Sequence, residues 1–169
     1  MKRVAMIGSR RVNDKQFSYM TSVAKAFAKR NWVICTGCAE GADYASMLGA
    51  DKDHLDVYLP WKSYNSHIQD LVPARYVTFS KFKHQEWIDS VHKYHPAPER
   101  LSRGAMSLHA RNFGILNGVD AVVAMPISDT DTGGTGQGMR IARELGIPLF
   151  VVCKNQDRQD LKEFIMTKA

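Results

Sequence analysis

Five short runs of this sequence are apolar almost without interruption: 4–7, 32–35, 57–59, 121–125 and 149–152. None alternates apolar with polar residues, so strands made from them bury both faces. That pattern belongs to parallel sheets covered by helices on either side. The segments between the runs agree. After the first run, Asn13 or Asp14 stands where a cap belongs, and Phe17, Met20, Val23, Ala24 and Phe27 recur at helical spacing. Helices are also expected over 42–50, 99–116, 139–145 and 157–168, with Gly146 placed to end the third of these. The expected fold class is α/β, an open and mainly parallel sheet of five or more strands with helices on both faces. Residues 1–169 read as a single domain. Within it, 61–98 reads as an irregular insertion with helical spacing near 66–71 and at Trp87, Ile88 and Val91.

Composition narrows the class further. With 169 residues and 44% hydrophobic content, the chain can build one core. No apolar run approaches the about 18 residues of a membrane span. The first apolar stretch, Val4-Ala5-Met6-Ile7, is too short for a signal peptide, so a cytoplasmic location is expected. The three cysteines form no disulfide framework, and Cys35-x-x-Cys38 begins inside a strand instead of at a helix start, which argues against a redox pair. The six histidines show no metal-ligand spacing, and neither metal nor cofactor is expected. A formal charge of +6 favours a polyanionic partner, with a local basic excess over 81–103.

In an open parallel sheet, ligands bind outside the carboxyl ends of the strands. Three glycine-bearing segments fall there. Gly8, Ser9 and Arg10 follow the first run. Gly37, Glu40, Gly41 and Asp43 follow the second. Gly133, Gly134, Thr135, Gly136, Gln137 and Gly138 follow the fourth, at the end of a polar loop expected over 127–138. The last is the most specific, with four glycines in six residues just before a helix. Glycine lets backbone N–H groups approach a ligand closely, and a helix start favours an anion. The stretch matches neither the Walker A pattern nor the usual dinucleotide fingerprint. Arg10 can give two hydrogen bonds to a phosphate or be a solvated turn residue. Asp43 can bind a sugar hydroxyl or merely complement a helix dipole. Arg111 and Asn112 precede the fourth run and can face the same crevice. Trp61 and Tyr64 can stack on a base or pack the core.

Taken in order, these segments resemble the SLOG superfamily, which groups lonely-guy phosphoribohydrolases, the DNA-processing protein A (Smf) family and YspA/YpsA-type proteins. Gly8-Ser9-Arg10 is similar to its opening G-S-R, and 36–43 to its S-G-G-A-x-G-x-D segment. Leu59-Pro60-Trp61-Lys62-Ser63-Tyr64-Asn65 looks like a YspA-type L-P-W-x-x-[FY]-N, and Arg111-Asn112 with Ile115 like the R-N-x-x-I of DNA-processing proteins. The resemblance spans roughly residues 3–152. It implies a Rossmann-like domain, a nucleotide-derived ligand and a homodimer. The leading expectation is a nucleotide-binding protein that holds a phosphate on residues 133–138. The alternatives are a single-stranded DNA-binding module of the DNA-processing type and an N-glycosidase acting on nucleoside monophosphates. The last is disfavoured. Lonely-guy enzymes carry P-G-G-x-G-T-x-x-E, and here Gln137, Met139 and Arg140 stand where the threonine and the acid are expected. Glu40 or Asp43 would have to replace that acid, with Arg111 beside it as the remaining catalytic candidate.

Overall fold

The computed structural model describes residues 1–128 and 133–169. Six strands form one sheet: β1 (Arg3–Gly8), β2 (Val33–Thr36), β3 (Leu55–Leu59), β4 (Arg75–Thr78), β5 (Ala121–Met125) and β6 (Leu149–Val151). Their order is β4-β3-β2-β1-β5-β6, and every neighbouring pair is parallel. Among the described residues seven α-helices accompany them, six between strands and the last after β6: α1 (Asp14–Ala28), α2 (Ala42–Met47), α3 (Ser66–Gln69), α4 (Gln85–Tyr94), α5 (Arg103–Leu116), α6 (Gly133–Glu144) and α7 (Asn155–Thr167).

The strand side chains divide by parity, as the pleat requires. Val4 and Met6 enter one core with Met20 and Phe27 of α1, Ala45 and Met47 of α2, Ile68 of α3 and Leu161 of α7. Ala5 and Ile7 enter the other with Trp87 of α4, Ile115 of α5 and Met139 of α6. Helices therefore cover both faces, and the doubly apolar strands are explained. Asn13 caps α1 in a capping box, its side chain accepting from the Gln16 N–H at 2.8 Å while Gln16 accepts from the Asn13 N–H at 2.9 Å.

Two segments differ from the sequence reading. Residues 61–98, read as an irregular insertion, contribute α3, α4 and the edge strand β4 to the main sheet. β4 escapes sequence reading because Arg75 and Thr78 at its ends are exposed and only Tyr76 and Val77 are partly covered, so no apolar run marks it. The segment read as a loop over 127–138 differs as well. Its residues 133–138 form the first turns of α6, while 129–132 lie outside the described residues. Glycine is a poor helix former, yet a Cβ on Gly138 would lie 2.7 Å from Ile7 Cδ1. α6 approaches β1 closely at this point, and packing overrides propensity. The helix expected from residue 99 starts at Arg103, after a 3-10 turn at Pro98–Arg100.

Candidate functional site

β1 leads to β2 on one side and is flanked by β5 on the other, so the chain reverses its direction of travel across the sheet between β1 and β5. A crevice is expected at the carboxyl ends of such a strand pair. A cleft of about 620 Å³ lies there. Its walls come from Gly8, Ser9, Arg10 and Arg11 after β1, Asp43 of α2, His109, Arg111 and Asn112 of α5, residues 126–128 after β5, and Gly133, Gly134, Thr135 and Gly138 of α6.

The turn after β1 is locked by close packing. The Ser9 N–H donates to the Met125 carbonyl at 2.9 Å, and the Ala42 N–H to the Ser9 carbonyl at 3.1 Å. A Cβ on Gly8 would meet Ala42 Cβ at 2.5 Å and the Met125 carbonyl oxygen at 2.6 Å. Gly41 carries φ +79° and would clash with Ser9 and Arg10 backbone if it bore a side chain. Gly8 and Gly41 thus join the turns after β1 and β2. The Arg10 side chain is tethered by a 3.4 Å hydrogen bond from Nη2 to the Tyr64 hydroxyl.

Beneath this turn two charged residues, Arg111 and Asp43, are buried. Arg111, 4% exposed, donates from Nη1 to the Tyr58 carbonyl at 3.0 Å and from Nε to Asn112 Oδ1 at 3.0 Å. Its guanidinium carbon lies 5.3 Å from the Tyr64 ring centroid. Asp43 is buried beside it and accepts from the Ala39 N–H at 3.3 Å. Gly37 leaves room for both, because a Cβ there would lie 2.5 Å from Asp43 Oδ2 and 2.9 Å from Arg111 Nη1. Burial pushes the Asp43 carboxyl up to about 6, although Arg111, the Ala39 N–H, Thr36 and Arg10 all pull it down. Asp43 is the one acid on the cleft wall among the described residues.

The opposite wall is the start of α6. Gly133, at φ +68°, and Gly134 are exposed, and Thr135 is partly covered. Helix starts leave N–H groups without intrahelical partners. Asn112 faces this wall, with Nδ2 3.3 Å from where a Gly134 Cβ would be. Gly136 and Gln137 turn inward and are buried. Gln137 Oε1 accepts a short hydrogen bond from His109 Nδ1, assigned to the tautomer this acceptor requires. Burial lowers the His109 pKa, as does His95, whose ring packs against it with centroids 4.8 Å apart; the Gln137 bond opposes them.

The structure therefore gathers Gly8, Ser9, Arg10, Asp43, Arg111, Asn112, Gly133, Gly134, Thr135 and Gly138 around one cavity. Gly37, Gly41, Gly136 and Gln137 support it from behind. Glu40 is exposed and lies 3.7 Å from His67 Nε2, off the cleft wall. Tyr64 is buried between Arg111 and the edge of Trp61, so its ring orients arginines, whereas Trp61 is 40% exposed. Arg11 and His109 line the cleft without having been expected there. His109 precedes Asn112 by three residues on α5, which places both on one helix face, and that spacing was the available signal. Cys35 and Cys38 are buried free thiols, pushed by burial up to about 12 and about 11. Among the described residues no helix is long and apolar enough to cross a membrane.

Residues 1–58 match the family model of DNA recombination-mediator protein A. The matched stretch contains the turns after β1 and β2, while Arg111, Asn112 and the start of α6 lie beyond it. Among curated proteins nothing matches the chain. Among solved structures, DNA processing protein A from Helicobacter pylori, described for its single-stranded DNA binding mode, superposes with a TM-score of 0.67 at 17% identity. The alignment covers 98% of this chain and 79% of that one. The chain is a Rossmann-like α/β domain similar to that of DNA processing protein A, in fold over nearly its whole length and in sequence over residues 1–58.

Proposed function

We propose that this chain binds single-stranded DNA, with one backbone phosphate seated in the cleft between β1 and β5. The observation that carries this reading is the meeting of two anion-binding elements distant in sequence. Gly8-Ser9-Arg10 and the glycine start of α6 face each other across one cavity at the carboxyl edge. In this arrangement the Gly133, Gly134 and Thr135 N–H groups and the Thr135 hydroxyl donate to phosphate oxygens. Ser9 and Arg10 approach from the other side, and Asn112 braces the α6 wall. Asp43, deeper in the cleft, faces the sugar. Trp61, on the turn after β3, offers a ring to a neighbouring base. The family match, the fold of a neighbour described as binding single-stranded DNA, and the formal charge of +6 all support this choice of polyanion.

A second reading has its own support. A volume of about 620 Å³ is in the range of small-molecule sites, which suits a mononucleotide whose phosphate occupies the same place. Salt separates the two. Oligothymidylate affinity, measured by fluorescence anisotropy, should fall with a log–log slope of about −0.7 for each phosphate neutralised. A mononucleotide site gives a shallow slope and full competition by a nucleoside monophosphate. In both cases Gly134→Trp, which fills the cleft above Asn112, should abolish binding while leaving the circular dichroism spectrum unchanged. Wild-type affinity in that variant would remove the cleft from either reading.

A further inference from the structure

Aromatic and cationic side chains continue along the carboxyl edge beyond the cleft. All strand pairs are parallel, so the turn after β4 emerges at the same edge as the turns after β1 and β5. It stands three strand spacings from β1, roughly 14 Å at about 4.8 Å each. The turn reads Ser80-Lys81-Phe82-Lys83-His84. Phe82 is 88% exposed, more than any other large apolar side chain among the described residues, and Lys81 and Lys83 on either side are exposed as well. A phenylalanine kept in water forgoes the free energy of burying its ring.

This exposure is imposed by a well-braced turn. The Lys83 and His84 N–H groups donate to the Ser80 carbonyl at 3.1 and 2.9 Å, and the Ser80 N–H to His84 Nδ1 at 3.0 Å. The Phe82 N–H donates to Ser80 Oγ at 3.3 Å. Underneath, the His84 ring stacks on Trp87 with centroids 3.9 Å apart, and Phe79 stacks on Trp87 at 6.0 Å. The turn is fixed from below and projects one ring outward between two cations. Lys81 Nζ lies 5.4 Å from that ring's centroid. Between this turn and the cleft, the turn after β3 presents Trp61 and the exposed Lys62. An alternation of exposed rings and cations is the composition that tracks a single strand, phosphates on cations and bases on rings. Two exposed acids stand near these turns: Glu40 after β2 lies beside His67, and Glu86 on the first turn of α4 accepts from Asn117 Nδ2 at 3.2 Å.

We infer that the Ser80–His84 turn is a nucleobase-stacking subsite. Phe82 stacks one base, and Lys81 and Lys83 take the flanking phosphates of a strand that runs from the cleft past Trp61. The inference rests on the single-strand reading and extends it to a second contact point. The test compares a thymidine dinucleotide, whose one phosphate fills the cleft and which is too short to span roughly 14 Å, with an oligothymidylate of about 16 nucleotides, the upper end of single-strand site sizes, on wild type, Phe82→Ser, Phe82→Trp and Arg10→Ala. Phe82→Ser should weaken the long strand roughly 5- to 150-fold, as 1–3 kcal/mol for one stacked base implies. It should leave the short strand, which the cleft alone accommodates, unchanged. Phe82→Trp should restore long-strand affinity, and Arg10→Ala should weaken both lengths. Equal affinities of Phe82→Ser and wild type for the long strand would overturn the subsite, and would be the result if this patch served a protein partner. Equal weakening at both lengths would overturn it too. Absence of wild-type binding at either length would instead sink the single-strand reading itself, so the two failures are distinguishable.

Discussion

Asp43 shows how one buried group couples the site to its surroundings. The residue sits among Gly37, Arg111 and the Ala39 N–H on the cleft wall, and burial raises its carboxyl to about 6. Above that pH it places a negative charge beside the proposed phosphate position, and below it the charge is gone. A phosphodiester does not titrate in this range, so strand affinity should rise as pH falls from 7 to 5. One charge under solvent-like screening is worth about 1 kcal/mol, roughly fivefold in Kd. Asp43→Asn should bind more tightly than wild type at pH 7 and lose this part of the pH dependence, as isothermal titration at the two pH values would show. A variant that keeps the full wild-type pH dependence would assign the titration to another group. At this same scale, the sequence marked Gly8, Arg10, Asp43, Arg111 and Gly134 as site residues but did not reveal that Tyr64 is buried beneath Arg111. An aromatic after a strand has the same local pattern whether it faces solvent or core.

Helix pairing decides how the site residues are presented. α5 carries Arg111 and Asn112 toward the cleft, and it packs on α4 through Gly114, where a Cβ would meet three Trp87 ring atoms at 2.6–2.7 Å. That ring is itself held between the Ser80–His84 turn and Tyr58. Gly114→Ala should therefore cost roughly 1–3 kcal/mol in urea unfolding, the usual range for an overpacked core, whereas an alanine on an exposed helix face would be neutral or stabilising. No loss of stability would show that Trp87 has freedom to move. Helix α6 is the element where sequence and structure part most. Gly133, Gly134, Gly136 and Gly138 look like a loop by propensity, yet all four are helical, and of these Gly138 packs closely on Ile7 of β1. β4 is the reverse case, a strand whose edge position leaves it too exposed to show an apolar run.

Across the whole molecule the sheet has two unlike edges. The carboxyl edge carries the cleft and the ring–cation series. Near the amino edge, Asp56 of β3 accepts from Arg75 Nε at 2.7 Å and also from Arg75 Nη2, and from Arg3 Nη2 at 2.6 Å, while Arg3 reaches the Tyr58 hydroxyl at 3.0 Å. This cluster ties β1, β3 and β4 together. Burial alone would raise the Asp56 carboxyl, yet the hydrogen bonds and charges of Arg75 and Arg3 hold it below the ordinary value. Its contribution to stability is thus present above the unfolded value near 3.8 and is lost as pH falls through the lower folded value. Asp56→Ala should destabilise the fold by roughly 2 kcal/mol at pH 7, less than for a fully buried pair because Arg75 is largely exposed. Guanidinium melts should show the difference from wild type shrinking as pH falls below 4. Strand binding at the other edge should be unaffected in the folded variant.

The sequence by itself determined the α/β class, the parallel sheet, the positions of β1, β2, β3, β5 and β6, and half of the residues that line the cleft. Each of these leaves a local trace: an apolar run, a helical period, or a glycine where a turn needs one. The tertiary structure alone decided that residues 133–138 are helical, that 75–78 form an edge strand, that Gln137 is buried against His109, and that Phe82 stands outside while Tyr64 lies inside. Those outcomes depend on what each segment packs against after folding, on distances between residues far apart in the chain, and no local pattern encodes them.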